Sequence, residues 1–158
     1  MRFEVYGGFP ISRKKDRRGL FDRNFWSQVE GTKKELSRAC GCYIFALQNG
    51  PNIVTWYVGK TERNTFANES FQPHKIEYYN EILTNHKGAP LLFLIARITA
   101  AFGKFSKPTK SGYRDIDFLE TMLIGLAHDQ NPDLVNMQKT KFLREMIVPG
   151  VMNSPRGP

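Results

Sequence analysis

The chain has 158 residues, a length that fits one domain with an appended element; 41% apolar and 13% aromatic residues exclude a disordered chain. Lys and Arg number 23 against 15 Asp and Glu, and the net charge of +8 points to a polyanionic partner, nucleic acid before an acidic membrane surface. No apolar run is long enough to span a membrane, and the basic N-terminus lacks a following apolar signal segment, so a soluble cytoplasmic protein is expected.

Residues 1–23 read as irregular, and "SRKKDRRG" (12–19) is a basic run whose Lys14, Lys15, Arg17 and Arg18 are candidate phosphate contacts. A helix is predicted over 24–39, where Phe25, Trp26, Val29 and Leu36 form a broken apolar stripe. Gly31-Thr32 weakens its middle and opens it to division into two short pieces. Residues 1–39 together read as a basic N-terminal arm and helical extension. Residues 41–48 read as a central strand, because Tyr43, Phe45 and Leu47 on one face oppose the apolar Cys42, Ile44 and Ala46 on the other. The two cysteines, Cys40 and Cys42, share a side of that strand, lack zinc-site spacing and suit packing. "NGPN" (49–52) signals a turn, and a β-branched and aromatic strand follows at 53–60. A turn centred on Gly50 would set Tyr43 directly opposite Tyr57.

Residues 61–72 read as a turn and short helix. Pro73 suits the first position of a helix running to about His86. The segment 91–100 has the composition of a buried strand, and 102–114 is a basic loop carrying Lys104, Lys107 and Lys110. A strongly periodic helix spans 115–129 and ends at Asn131-Pro132. Residues 138–158 read as a C-terminal extension with a loose Pro/Gly tail.

Two helices break their own pattern. At about 100° per residue, Ile116, Leu119, Met122, Leu123, Leu126 and Ala127 define one apolar arc of helix 115–129, with Ile124 at its edge. Glu120 falls inside that arc, where a carboxylate is costly unless it is paired, hydrogen-bonded or bound to a metal. In helix 73–86, Lys75 leans toward the apolar side and shares a face with Tyr79 four residues on. His74 turns toward the polar side beside Lys75, Arg63 follows the second strand in "GKTER", and Asn136 lies in "NPDLVN" after Glu120. The bland readings are a boundary glutamate, a snorkelling lysine and a turn-capping asparagine.

In order, Gly41-Cys42-Tyr43, Tyr57-Val58-Gly59, a helix with a cation and a Tyr or His, Glu120 and Asn136 resemble the GIY-YIG nuclease domain over residues 40–137. Cys42 stands where that pattern has isoleucine. Lys75, with Tyr79, replaces the expected arginine, whereas Arg63 has only Ala67 at that offset. The resemblance implies an α/β fold, a small central antiparallel sheet of about three strands flanked by helices, in line with the element order read above. It further implies one divalent ion, Mg²⁺ or Mn²⁺, on Glu120. Tyr43 would be the general base or position the water, and Tyr57 would assist. Lys75, with Arg63 or His74 as substitutes, would neutralise the phosphate. Tyr79 or His74 would act on the leaving group or orient water, Asn136 would hold the geometry, and Gly59 would allow close approach of backbone or substrate. A phenol with a pKa of about 10 needs a cation such as Lys60 or Lys75, or the metal, to become a base near neutrality.

The expectation is a metal-dependent endonuclease acting on DNA, with RNA as the second substrate. Lys60, the arm and the basic loop would hold phosphates. The alternatives are a nucleic-acid-binding module of the same fold without catalysis, and a protein-interaction protein. Steeply salt-dependent binding without turnover would mark the first, and no binding at low salt the second.

Overall fold

The structure is a computed structural model that describes residues 2–12, 24–136 and 140–141. Its frame is one antiparallel sheet of four strands, β1 (Arg2–Pro10), β2 (Gly41–Asn49), β3 (Asn52–Thr61) and β4 (Ala89–Ile98), in the order β1-β4-β2-β3. Helices α1 (Phe25–Thr32), α2 (Phe66–Glu69), α3 (Pro73–Asn85) and α4 (Arg114–Gln130) complete this small mixed α/β fold, with a 3-10 turn at Leu36–Arg38. None of these helices is long and apolar enough to cross a membrane.

The fourth strand corrects the N-terminal expectation. Residues 2–10 pair with β4 instead of lying in an irregular arm. Their pattern is interrupted by Gly7-Gly8, where the register shifts between Tyr6 and Phe9, and ends in Pro10, a residue confined to edges. Phe9, Ile11, Phe25, Val29 and Leu36 belong to the main core, so β1 and α1 are part of the domain. The division between α1 and the 3-10 turn falls between Thr32 and Leu36, directly after the weak Gly31-Thr32 pair. Lys14, Lys15, Arg17 and Arg18 of the expected basic arm, and the C-terminal extension apart from Thr140 and Lys141, lie outside the described residues.

β2 is central, as its two apolar faces required. One face carries Tyr43, Phe45 and Leu47 into an aromatic core with Phe25, Phe66, Tyr79 and Ile82. Full burial of a side chain such as Phe45 or Phe66 is worth about 1.5–3 kcal/mol. The other face carries Cys42 against Ile116 of α4, while Val58 of β3 meets Ile124 and Ala127. Cys40 and Cys42 are buried thiols packed with Ile95 and Ile116, and burial pushes the Cys40 thiol up to about 11.

The hairpin register differs from the expected one. Asn49 pairs with Asn52 across Gly50-Pro51, and a bulge between Phe45 and Ala46 leaves Trp56 as the extra residue of β3. Tyr57 therefore faces Phe45, and Tyr43 faces Gly59. The two tyrosines remain on one face as diagonal neighbours.

The α4 arc is also rotated from the expected one. Ile116, Glu120, Ile124 and Ala127 are buried, whereas Met122 and Leu126 are exposed. Glu120 thus occupies the middle of the sheet-facing stripe. Three polar contacts fix α4 in place. Arg97 of β4 donates through Nε to Asp115 at 2.8 Å, the Tyr113 amide donates to Glu62 at 3.1 Å, and Lys60 of β3 donates to Asp117 at 2.6 Å. Asp115 and Asp117 also sit in the first turn, where the helix dipole favours negative charge.

Candidate active site

β3 is the edge strand next to β2, and candidate residues lie on both of its faces. On the aromatic face, the Tyr43 ring lies flat over Gly59. A Cβ added at Gly59 would sit 2.3 Å from Tyr43 Cζ and 2.5 Å from its hydroxyl. Gly59 is needed because a neighbouring ring takes its side-chain space, so the room there is used by Tyr43 itself and not by backbone or substrate. Tyr43 is fully buried, and no hydrogen bond of standard geometry reaches its hydroxyl among the described residues. The Tyr57 ring lies 6.2 Å from that of Tyr43 and 6.1 Å from that of Tyr78.

Lys75 enters the same face from the first turn of α3. It is only 5% exposed, and its ammonium lies 5.1 Å from the Tyr43 ring centroid. Its charge is matched by Glu69, at the end of α2, with which it forms a hydrogen-bonded ion pair. Glu69 also accepts from Asn64 at 3.2 Å and from Gln72 at 3.1 Å, so the carboxylate end of the pair is held. Tyr79 is buried, stacks on Phe45 at 4.2 Å and donates its hydroxyl to the Ser70 carbonyl at 3.1 Å. That bond ties α3 to the end of α2 and commits the Tyr79 phenol to the fold.

Glu120 approaches from the other face. It is 9% exposed, and its charge raises the proton affinity of both Tyr57 and Lys60. Lys60 lies within 2.6 Å of Asp117 and 3.5 Å of Glu62. Burial works to lower the Lys60 pKa, but the hydrogen bond it donates to Asp117 and the charges of Glu62, Asp117 and Glu120 outweigh it and raise it. Lys60 is therefore a neutralised member of the cluster, in contrast to the open phosphate contact expected of it.

The phenols are shifted in the direction opposite to a base. Burial holds Tyr43 well above the usual range, reinforced by Tyr79, Tyr57 and Glu69. Burial likewise pushes Tyr57 up to about 12; the contact with Tyr43 opposes this, and Glu120, Tyr78 and Glu69 add to it. The Lys75 ammonium does not reverse the effect, because desolvation of a buried phenolate dominates a cation already paired with Glu69. Both phenols stand in the protonated form.

Asn136 closes the β3 edge. Its side chain accepts from the Val58 amide at 2.8 Å and donates to the Val58 carbonyl at 2.5 Å, which reproduces a strand pairing with one residue. Asn131 adds a bond from Nδ2 to the Thr55 carbonyl at 2.8 Å, and the Val135 amide donates to the Trp56 carbonyl at 3.0 Å.

The structure groups Tyr43, Tyr57, Lys75, Tyr79 and Gly59 on the aromatic face of the sheet, places Glu120 and Lys60 on the opposite face under α4, and sets Asn136 along the β3 edge between them. His74 is exposed at the rim, its ring 6.4 Å from that of Tyr78. Arg63 is exposed in the turn after β3, outside the cluster. Lys104, Lys107 and Lys110 are exposed on the loop between β4 and α4. Glu69 is the member that sequence reasoning missed. Its only local signal is a carboxylate six residues before a core-leaning lysine. Among the described residues no three His, Cys, Asp or Glu side chains gather as a ligand set. A single carboxylate at a partly polar edge suits Mg²⁺, which keeps several waters and takes its remaining ligands from phosphate. No protein-family model, curated protein or solved structure matches the chain.

Proposed function

We propose that the chain is a divalent-metal-dependent endonuclease that hydrolyses phosphodiester bonds in DNA, with Mg²⁺ or Mn²⁺ held by Glu120. The observation that carries this reading is the placement of Glu120. A carboxylate stands in the middle of the sheet-facing stripe of α4, on the face of β3 that carries Lys60, where apolar packing alone calls for a hydrocarbon side chain. The resemblance of the surrounding residues to the GIY-YIG pattern supports the same reading. Bound there, the ion would supply a lowered water pKa and an acceptor for charge building on the phosphate.

The chain's own residues divide the remaining work. Tyr57, half-buried and protonated, donates a hydrogen bond to the attacking water or to a phosphate oxygen. Tyr43 stands behind it and fixes its position. Lys75 places a positive charge under the two rings, tempered by Glu69. Asn136 holds the backbone of Val58, and so the strand that presents Tyr57 and Gly59.

A second reading, a nucleic-acid-binding module without catalysis, is favoured by the Lys75–Glu69 pair. A cation already satisfied by a half-buried carboxylate offers a phosphate less than the arginine of the related pattern would. Conversion of supercoiled plasmid to nicked circles, with Mg²⁺ or Mn²⁺, separates the two. The nuclease reading expects nicking by the wild type, loss of nicking in Glu120→Ala and retained DNA binding. Binding without metal-dependent cleavage above the Glu120→Ala level, on DNA and RNA alike, selects the second reading.

A further inference from the structure

A basic groove lies near the end of the sheet where β2 starts and β4 finishes. It consists of two adjoining cavities of about 560 and 240 Å³ that share Glu35 and Phe105. Arg38 and Lys107 line the larger cavity, and Lys33, Lys34 and Lys104 line the smaller. All five cations are exposed, and none enters an ion pair among the described residues. Two acids share the lining. Glu4 is already engaged by Arg2 and by the Tyr6 hydroxyl, each at 2.5 Å, and Glu35 stands at the junction. The positive charge of the groove walls thus exceeds the free negative charge.

The floor is aromatic. Phe105 and Tyr6 meet edge to face at 5.7 Å, and each is only partly buried. Tyr6 spends its hydroxyl on Glu4, which leaves its ring as the surface offered to the groove. Cationic walls over aromatic rings are the pattern that holds single-stranded nucleic acid, with phosphates on the walls and bases on the rings. A duplex keeps its base faces stacked inside and has no use for such a floor. The larger cavity also touches Thr65, Ala67 and Asn68. Asn68 directly precedes Glu69, the partner of Lys75, so this end of the groove adjoins the candidate active site.

We propose that this groove binds a single-stranded nucleic-acid segment and leads it toward the β3 edge. The functional consequence rests on the nuclease reading, whereas the binding itself does not. The test is fluorescence anisotropy with the full chain in EDTA, using a labelled oligothymidylate of about 15 nucleotides and a blunt duplex of equal length. The wild type is expected to bind the single strand more tightly than the duplex. A Lys34→Gln, Arg38→Gln, Lys107→Gln variant is expected to lose at least about tenfold in affinity and to flatten the salt slope by about 2. Phe105→Leu, which keeps apolar volume but removes the stacking face, is expected to cost about fivefold or more on the single strand alone. Melting by circular dichroism verifies that both variants are folded. Unchanged affinity and salt slope in the triple variant, or no binding of either probe at low salt, overturns the groove. Equal binding of duplex and single strand, with no effect of Phe105→Leu, overturns the single-strand assignment. Single-strand binding by a wild type that does not nick plasmid supports the groove and counts only against the nuclease reading.

Discussion

The two faces of β3 handle buried charge in different ways. On the aromatic face, Lys75 is closed in with Glu69, Tyr43 and Tyr79, and its ion pair is completed by Asn64 and Gln72. On the α4 face, Glu120 belongs to a looser group with Lys60, Glu62 and Asp117, of which Asp117 has a side chain 57% exposed. The first pair is closed in, whereas the second group opens to solvent at Asp117. On the nuclease reading proposed above, positioning falls to the Lys75 face and chemistry to the Glu120 face.

Breaking the closed pair should have the largest effect. Lys75→Ala leaves Glu69 without its cation in a poorly solvated place and is expected to cost about 3–5 kcal/mol in urea unfolding. A Lys75→Met, Glu69→Leu double variant should recover most of that loss. Failure to recover would mean that the pair does more than cancel its own burial. Next comes Gly59→Ala, whose Cβ would overlap the Tyr43 ring, with an expected cost of about 1–3 kcal/mol. Tyr43→Leu in the same chain should relieve the overlap, which a double-mutant cycle measures. Tyr79→Phe removes the bond to the buried Ser70 carbonyl and should cost about 1 kcal/mol. Lys60→Gln, on the open side, should change stability by less than about 1 kcal/mol, because an exposed Asp117 partner is well screened.

Alkaline pH sharpens the same contrast. The Tyr57 pKa is raised to about 12 from an ordinary value near 10, so the folded state holds its proton more tightly than the unfolded state. The stability this contributes is fully present below pH of about 10 and is lost as pH rises toward about 12. The difference between wild type and Tyr57→Phe in phenolate absorbance should therefore show no Tyr57 ionisation near pH 10 while the chain is folded. Ionisation at the ordinary value would mean that Tyr57 is solvated.

Much of this frame is legible in local patterns. The hairpin, the Pro73 start of α3, the strand at β4 and the stop at Asn131 all follow from short-range rules. Lys75 and Glu120 stand out because a charge on an apolar helical face is visible in one window. What escapes is set by partners distant in sequence or by single irregular residues. β1 is hidden because Gly7-Gly8 and Pro10 break its alternation, and only pairing with β4 makes it a strand. The two-residue turn at Gly50-Pro51 and the extra residue at Trp56 each shift the register by one, and together they place Gly59, not Tyr57, opposite Tyr43. The phase of α4 is misread because Met122 and Leu126 are apolar yet exposed, so the arc drawn through them is off-centre. Glu69 lies in a polar connection with no periodicity to expose it, although it decides how much charge Lys75 can offer.

The most direct test of the central claim is the single-turnover cleavage rate of end-labelled DNA by wild type and Glu120→Ala, each with Mg²⁺ and with EDTA. The account predicts cleavage by the wild type with Mg²⁺ alone, and a loss of about 100-fold or more in Glu120→Ala at an unchanged melting temperature. Equal rates in the two proteins, or cleavage that persists in EDTA, would contradict it.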